Sequence, residues 1–263
     1  MKNILDNLIL DGGYTAILRS IGCIGDSLSS GEHEFTKPDG TKGYYDLYEH
    51  SWGQYLARKC GVKVQNFSCG GLTALGFNQY QAYNKSFNVD KLCYSYVLAL
   101  GVNDLNPPFF ERDYKEYGFG SIDDIDFEDY NKNKPSFVGY YVRIIQKIKE
   151  VQPDARIFLM TIPRDKVDGE NRPLRDKHAE LLRQLPSLFK NTYVLDLRKE
   201  NLIFDETFRK KYFLGGHMNA MGYKLIGDIV ATMISNVIEE NYKDFSDFAL
   251  IGTGLINKNS DRY

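Results

Sequence analysis

The sequence predicts a doubly wound α/β domain, and three observations predict it. Short apolar runs alternate along the chain with stretches of helical periodicity. The runs at 14–24, 94–100 and 156–162 are close to continuously apolar, as in parallel strands buried on both faces. Several of them break off into small or polar residues, at the sheet edge where open α/β folds keep their chemistry.

Residues 1–13 read as a short lead-in strand ending in the turn Asp11-Gly12-Gly13. Tyr14 to Ile24 is the first strand of the sheet. Residues 29–45 carry Ser29-Ser30-Gly31 and Lys37-Pro38-Asp39-Gly40 and read as a long loop, a length often tied to function. A helix is expected at 46–60, where Tyr48, Trp52, Tyr55, Leu56 and Lys59 recur every three to four residues before Gly61. Val62 to Phe67 alternates like a strand. The small-residue turn Ser68 to Thr73 leads into a helix at 72–84. Tyr94 to Leu100 is a strand that ends in Gly101-Val102-Asn103-Asp104.

Residues 105–135 are rich in acids and aromatics. They read as an insertion near the active site with a short helix, a lid or pocket wall. Asp123, Asp124, Asp126, Glu128 and Asp129 lack the glycine and glutamate spacing of a calcium loop. Ser136 caps a helix that runs to Val151. Arg156 to Ile162 is a strand closed by Pro163. Helix returns at 173–189, broken or kinked at Pro186, and Tyr193 to Leu197 is the fifth sheet strand. A mixed segment, 198–216, precedes a last helix at 219–241, whose inward stripe is Ile226, Ile229, Val230, Met233, Ile234 and Val237. The final residues of the tail are expected to be loose. No repeat or linker interrupts the pattern, so residues 1–263 read as a single domain.

Composition narrows the function. With 43% hydrophobic and 26% charged residues, the chain is an ordinary soluble globular protein. A net charge of -2 gives no electrostatic case for nucleic acid or an anionic membrane as partner. No run of 18 apolar residues spans a membrane. Asp6 and Asp11 interrupt any signal-peptide core, so a cytoplasmic location is expected. Cys23, Cys60, Cys69 and Cys93 show no metal-ligand spacing and read as buried free thiols, and no metal or organic cofactor is called for.

The chemistry begins at Gly25-Asp26-Ser27-Leu28. A serine at the exit of a buried strand is a candidate nucleophile, and it needs a base and oxyanion donors. Gly70-Gly71 leaves backbone N–H groups open to close approach. Asn103 offers a side-chain amide. His217, just before the last helix, offers an imidazole whose charged form a helix N-terminus disfavours. Taken alone, Ser27 is equally a helix-cap serine and Asn103 a turn residue; together they make a constellation. Asp26 is read as bracing the turn around Ser27, and Asp104 as structural. His33, His50 and His178 read as ordinary surface or loop residues, with His33 and Glu34 near enough to Ser27 for substrate contact.

Gly25-Asp26-Ser27-Leu28, Asn66-Phe67-Ser68-Cys69-Gly70-Gly71, Gly101-Val102-Asn103-Asp104 and Gly216-His217-Met218-Asn219 stand in an order and approximate spacing that resembles the SGNH (GDSL-type) hydrolase family of esterases and lipases. The likeness covers roughly 14–240. It implies a three-layer α/β/α, flavodoxin-like fold with a five-stranded parallel sheet. It also implies Ser27 as nucleophile and His217 as base, with the Ser27 N–H, the Gly71 N–H and Asn103 as oxyanion hole.

One position departs from the family pattern. The aspartate usual three residues before the histidine is Leu214 here, and the usual proline after it is Met218. Three explanations stand: a backbone carbonyl at 213–215 orients the imidazole in a Ser–His dyad, Asp205 or Glu206 reaches it, or the site is weak or inactive. The reading is a serine esterase acting on small carboxylic esters, acetylated sugars or short acyl esters, through a covalent acyl-enzyme. The alternatives are an acyltransferase or thioesterase, and a binding module that has lost efficient turnover.

Overall fold

The computed structural model describes residues 4–80, 87–200 and 202–256. The first half runs β1 (Ser20–Gly25), α1 (Ser27–Ser30), β2 (Glu32–Thr36), β3 (Lys42–Asp46), α2 (Trp52–Cys60), β4 (Lys63–Asn66), α3 (Ala74–Gln79), β5 (Ser95–Ala99) and α4 (Pro107–Tyr114). The second runs α5 (Phe137–Val151), β6 (Arg156–Met160), β7 (Arg164–Asp165), α6 (Arg172–Gln184), β8 (Thr192–Leu195), β9 (Ile203–Phe204), α7 (Glu206–Tyr212), β10 (Phe213–Leu214), β11 (His217–Met218) and α8 (Ala220–Glu240).

Five strands form one all-parallel sheet in the order β4-β1-β5-β6-β8. Its side chains alternate between two cores. Ile24, Tyr96, Leu98, Ile157 and Leu159 face α3, α5 and α6. Ile21, Cys23, Val97 and Phe158 face α2 and α8. This is the expected three-layer fold with a five-stranded parallel sheet. Among the described residues, no helix is long and apolar enough to cross a membrane.

Several expected elements differ in extent. The strand read at 14–24 begins only at Ser20. Gly13–Leu18 is a 3-10 helix, and Arg19 separates the two at φ 58. The helical turn is held by α8: Thr15 Oγ1 donates to Ala231 O at 2.7 Å, and Ser235 Oγ accepts from Tyr14 N at 3.0 Å. The lead-in strand is instead a 3-10 turn at Ile4–Asn7. Residues 1–3, the end of the helix read at 72–84 and the last residues of the tail lie outside the described residues.

The largest correction is at 29–45. It is an antiparallel hairpin, β2 paired with β3, turning through Pro38-Asp39-Gly40. Glu32-His33-Glu34-Phe35 alternates, and a Pro-Asp-Gly turn follows it. That is a hairpin signal, and the segment's polarity hid it. Residues 105–135 form α4 and two 3-10 turns, and their carboxylates serve local backbone and side-chain donors. Asp124 meets Ser136 and Lys134, Asp126 accepts from the amides of Glu128 and Asp129, and Asp129 accepts from Asn131. Cys69 is exposed rather than buried, because it lies in the open turn after β4; the other three thiols are buried and all four are free. His178 is fully buried against Phe137 and Tyr141 on the apolar face of α6, not on the surface, and burial pushes it down to about 3. His33 is buried too.

Gly22 shows how tightly the central strand is packed. A Cβ there would lie 2.6 Å from the Tyr96 ring and 2.9 Å from Phe67. Gly22→Ala is expected to destabilise the fold by about 1–3 kcal/mol through overpacking. Urea unfolding checks this: the midpoint falls while the slope stays unchanged.

Candidate active site

Ser27 is the first residue of α1, directly beyond the C-terminal end of β1. The helix is one turn long and is made by its caps. Asp26 Oδ1 accepts from Leu28 N at 3.0 Å, and Gly31 closes the turn in the left-handed region at φ 82. As a first-turn residue, Ser27 has an N–H without a helical acceptor. Asp26 is 1% exposed and its Oδ2 has no hydrogen-bond partner. Burial, its largest cause, pushes the carboxyl up to about 7, which lessens the cost of that orphan oxygen. Behind α1 is an apolar cavity of about 60 Å³ bordered by Asp26, Leu28, Trp52, Met160 and Met218.

The neighbours of β1 bring two more groups to the same edge. After β4, Gly71 takes φ 70, a conformation that favours glycine, and a Cβ on it would meet open space. After β5, Asn103 Nδ2 donates to Leu72 O at 3.2 Å, so the amide is tied to the Gly70-Gly71 turn. The next residue fastens the two exits from below. Asp104, fully buried, accepts from Ala74 N at 2.7 Å and from the Tyr114 hydroxyl. Burial pushes it up to about 6 against these bonds.

His217 opens β11, whose partner β10 sets Leu214 opposite it. The strand lies against both α1 and the hairpin strand β2. Period-two geometry puts Glu32 and Glu34 on one face of β2. Glu34 Oε2 accepts from Gly216 N at 2.8 Å, and Glu34 Oε1 pairs with Lys42 at 2.6 Å. Gly215 makes room for that carboxylate at φ 65; a Cβ on it would overlap Glu34. Glu32 Oε1 lies 3.0 Å from His217 Nε2. His217 Nδ1 is buried without a partner. The Tyr44 ring stands edge-on to the imidazole at 5.4 Å. Tyr223, on α8, donates to Glu32 O at 2.6 Å and lies 3.5 Å from Ser27 O.

The electrostatics follow from burial. Desolvation is the main reason His217 lies below the ordinary imidazole value, with Glu34 pulling the other way. Glu32 is raised by burial and then by Asp46. Glu34 is lowered by its bonds to Lys42 and the Gly216 N–H.

Ser27, Gly71 and Asn103 thus stand beyond the C-terminal ends of β1, β4 and β5, with His217 on β11 packed against α1. Ser27 and His217 make no hydrogen bond to each other, since Nε2 faces Glu32 and Nδ1 has no partner. The same facts leave no carbonyl of 213–215 accepting from the ring. Asp205 does not reach it either: its Oδ1 caps α7 by accepting from Phe208 N at 2.8 Å. Glu206 is exposed in the first turn of that helix. Glu32 and Tyr223 escaped the sequence reading. The alternation of Glu32-His33-Glu34 was the one available signal for Glu32, and the residues after His217 held none for Tyr223.

No curated protein sequence matches the chain. Solved structures show the fold. A family two carbohydrate esterase from Clostridium thermocellum, in complex with cellohexaose, is 17% identical with a TM-score of 0.56; the match covers 84% of this chain and 65% of that one. A family 3 carbohydrate esterase from the same organism is 14% identical with a TM-score of 0.53, covering 84% and 97%. Est24, a carbohydrate acetylesterase from Sinorhizobium meliloti, is 14% identical with a TM-score of 0.53, covering 83% and 99%. Residues 23–225 match the model of the GDSL-like lipase/acylhydrolase family. That stretch runs from inside β1 to the start of α8 and holds every group described above, and the chain belongs to this family of ester-hydrolysing serine hydrolases.

Proposed function

We propose that this protein is a serine esterase that cleaves small, uncharged carboxylic esters, with acetylated sugars the favoured class, through a covalent acyl-enzyme. The observation that carries the reading is the convergence of Ser27, the Gly70-Gly71 turn and Asn103 on adjacent strand exits, with His217 on a strand packed against α1. Ser27 Oγ attacks the acyl carbon while His217 takes its proton. The Ser27 N–H, the Gly71 N–H and Asn103 hold the developing oxyanion. His217 then protonates the leaving alkoxide, and it activates the water that releases the acid. These steps draw on side chains and backbone alone.

Charge supports the substrate class. Glu32, Glu34 and Asp46 line the hairpin face toward His217, against Lys42 alone. Such a wall repels anionic esters and leaves neutral ones unopposed. The carbohydrate esterases among the structural neighbours favour a sugar as the alcohol. One observation favours the rival reading, a binding module without turnover: Ser27 and His217 make no hydrogen bond to each other.

Labelling separates the two. A fluorophosphonate is expected to label the wild type and not Ser27→Ala, and p-nitrophenyl acetate hydrolysis should fall to background in that variant. A wild type that neither labels nor hydrolyses above Ser27→Ala sinks the esterase reading. Asn103→Ala is expected to lower kcat by about 10²–10³-fold with KM little changed, the usual cost of one oxyanion donor.

The pH profile carries a sign. His217 accepts a proton only when neutral, so kcat/KM rises with pH through its pKa. Burial lowers that pKa, so the acid limb is expected below the ordinary imidazole value of ~6.5. A limb at or above that value in steady-state profiles contradicts the assignment.

A further inference from the structure

We propose that Glu32, delivered by the strand that follows the nucleophile turn, is the carboxylate that positions His217. The proposal rests on the reading of His217 as the base. Three positions before His217, where a carboxylate could serve this purpose, stands Leu214, which has none and is 46% exposed. Asp205 is committed to capping α7. Glu32 Oε1 is 3.0 Å from Nε2, and both side chains are only 17% exposed.

A neutral imidazole has one N–H. Donating it from Nε2 to Glu32 leaves the lone pair on Nδ1, the buried ring atom with no partner. In acylation the Ser27 O–H bond breaks, an Nδ1–H bond forms, and Oγ bonds to the acyl carbon as the carbonyl electron pair moves to oxygen. The imidazolium then stands beside the Glu32 carboxylate with little water around it, where an opposite charge counts most. In collapse the same proton passes to the leaving alkoxide.

Glu32 is itself held from three sides. Its carbonyl accepts from the buried Tyr223 hydroxyl, and β3 pairs with its strand. Gly70 leaves room for Oε2 where a Cβ would overlap it. The other groups facing the ring have separate employment. Glu34 serves Gly216 N and Lys42, and Asp46 Oδ1 accepts from Ser30 Oγ at 2.5 Å. Tyr44 offers a ring edge, and the His33 Nδ1 is engaged with Gly31 O at 2.9 Å. Glu32 is the carboxylate left to the imidazole.

The test is steady-state hydrolysis of p-nitrophenyl acetate by the wild type, Ser27→Ala, Glu32→Gln, and Glu32→Gln combined with Leu214→Asp. Glutamine keeps the shape and removes the charge. Glu32→Gln is expected to lower kcat by about 10²–10⁴-fold with KM nearly unchanged, the range bounded by loss of the third group in a triad. Its acid limb should move to lower pH, because the imidazole loses an anionic neighbour. Leu214→Asp should then restore part of kcat, since residue 214 is the cross-strand neighbour of His217. A Glu32→Gln enzyme with wild-type or higher kcat and an unmoved acid limb, beside an inactive Ser27→Ala, overturns the proposal and leaves the Ser27–His217 reading intact. A Ser27→Ala enzyme as active as wild type overturns that reading instead.

Discussion

A single buried hydroxyl joins the parts of this site. Tyr223 is fully buried in the first turns of α8, and its OH reaches Glu32 O, with Ser27 O at the edge of hydrogen-bond range. Three segments meet there: the turn that carries the serine, the strand that carries two carboxylates, and the helix that follows the histidine. Without that hydroxyl, the carbonyl of Glu32 would lose its buried donor. Burial raises the phenol well above its usual range, so it stays a donor at any physiological pH.

The site is built largely of acids held in place by glycines and amides. Asp26 and Asp104 are buried under the turns they brace, and both are raised toward neutrality. Glu34 grips the Gly215-Gly216 turn, and Glu32 lies over Gly70. Gly70 and Gly215 lie where a carboxylate needs space, and Gly31, Gly71 and Gly215 supply the positive φ of their turns. The division of labour among the acids follows from partners. Those given amide donors or a lysine brace the backbone, and the one left without such a donor meets the imidazole.

The layers were legible because their signals are local. Ile21, Cys23 and Ile24 are an apolar run, and α5 and α8 carry stripes of helical period, so sheet and helices follow from patterning alone. The cap at Ser136 was equally readable. The strand read from Tyr14 started too early because an apolar 3-10 turn packed on α8 has the same composition as a strand. The hairpin at 32–46 reads as a loop because most of its residues are polar, and nothing in their immediate sequence tells that one face lies against the His217 strand.

By itself, the sequence determined the fold class, the strand exits and the four motif blocks, since each depends on residues adjacent in the chain. It also determined that Leu214 has no carboxylate to offer. Only the tertiary structure shows which carboxylate stands beside His217. Glu32 and His217 are 185 positions apart in the numbering, and only the packing of β2 on β11 brings them to 3.0 Å. A long-range contact of that kind leaves no periodic trace in either segment.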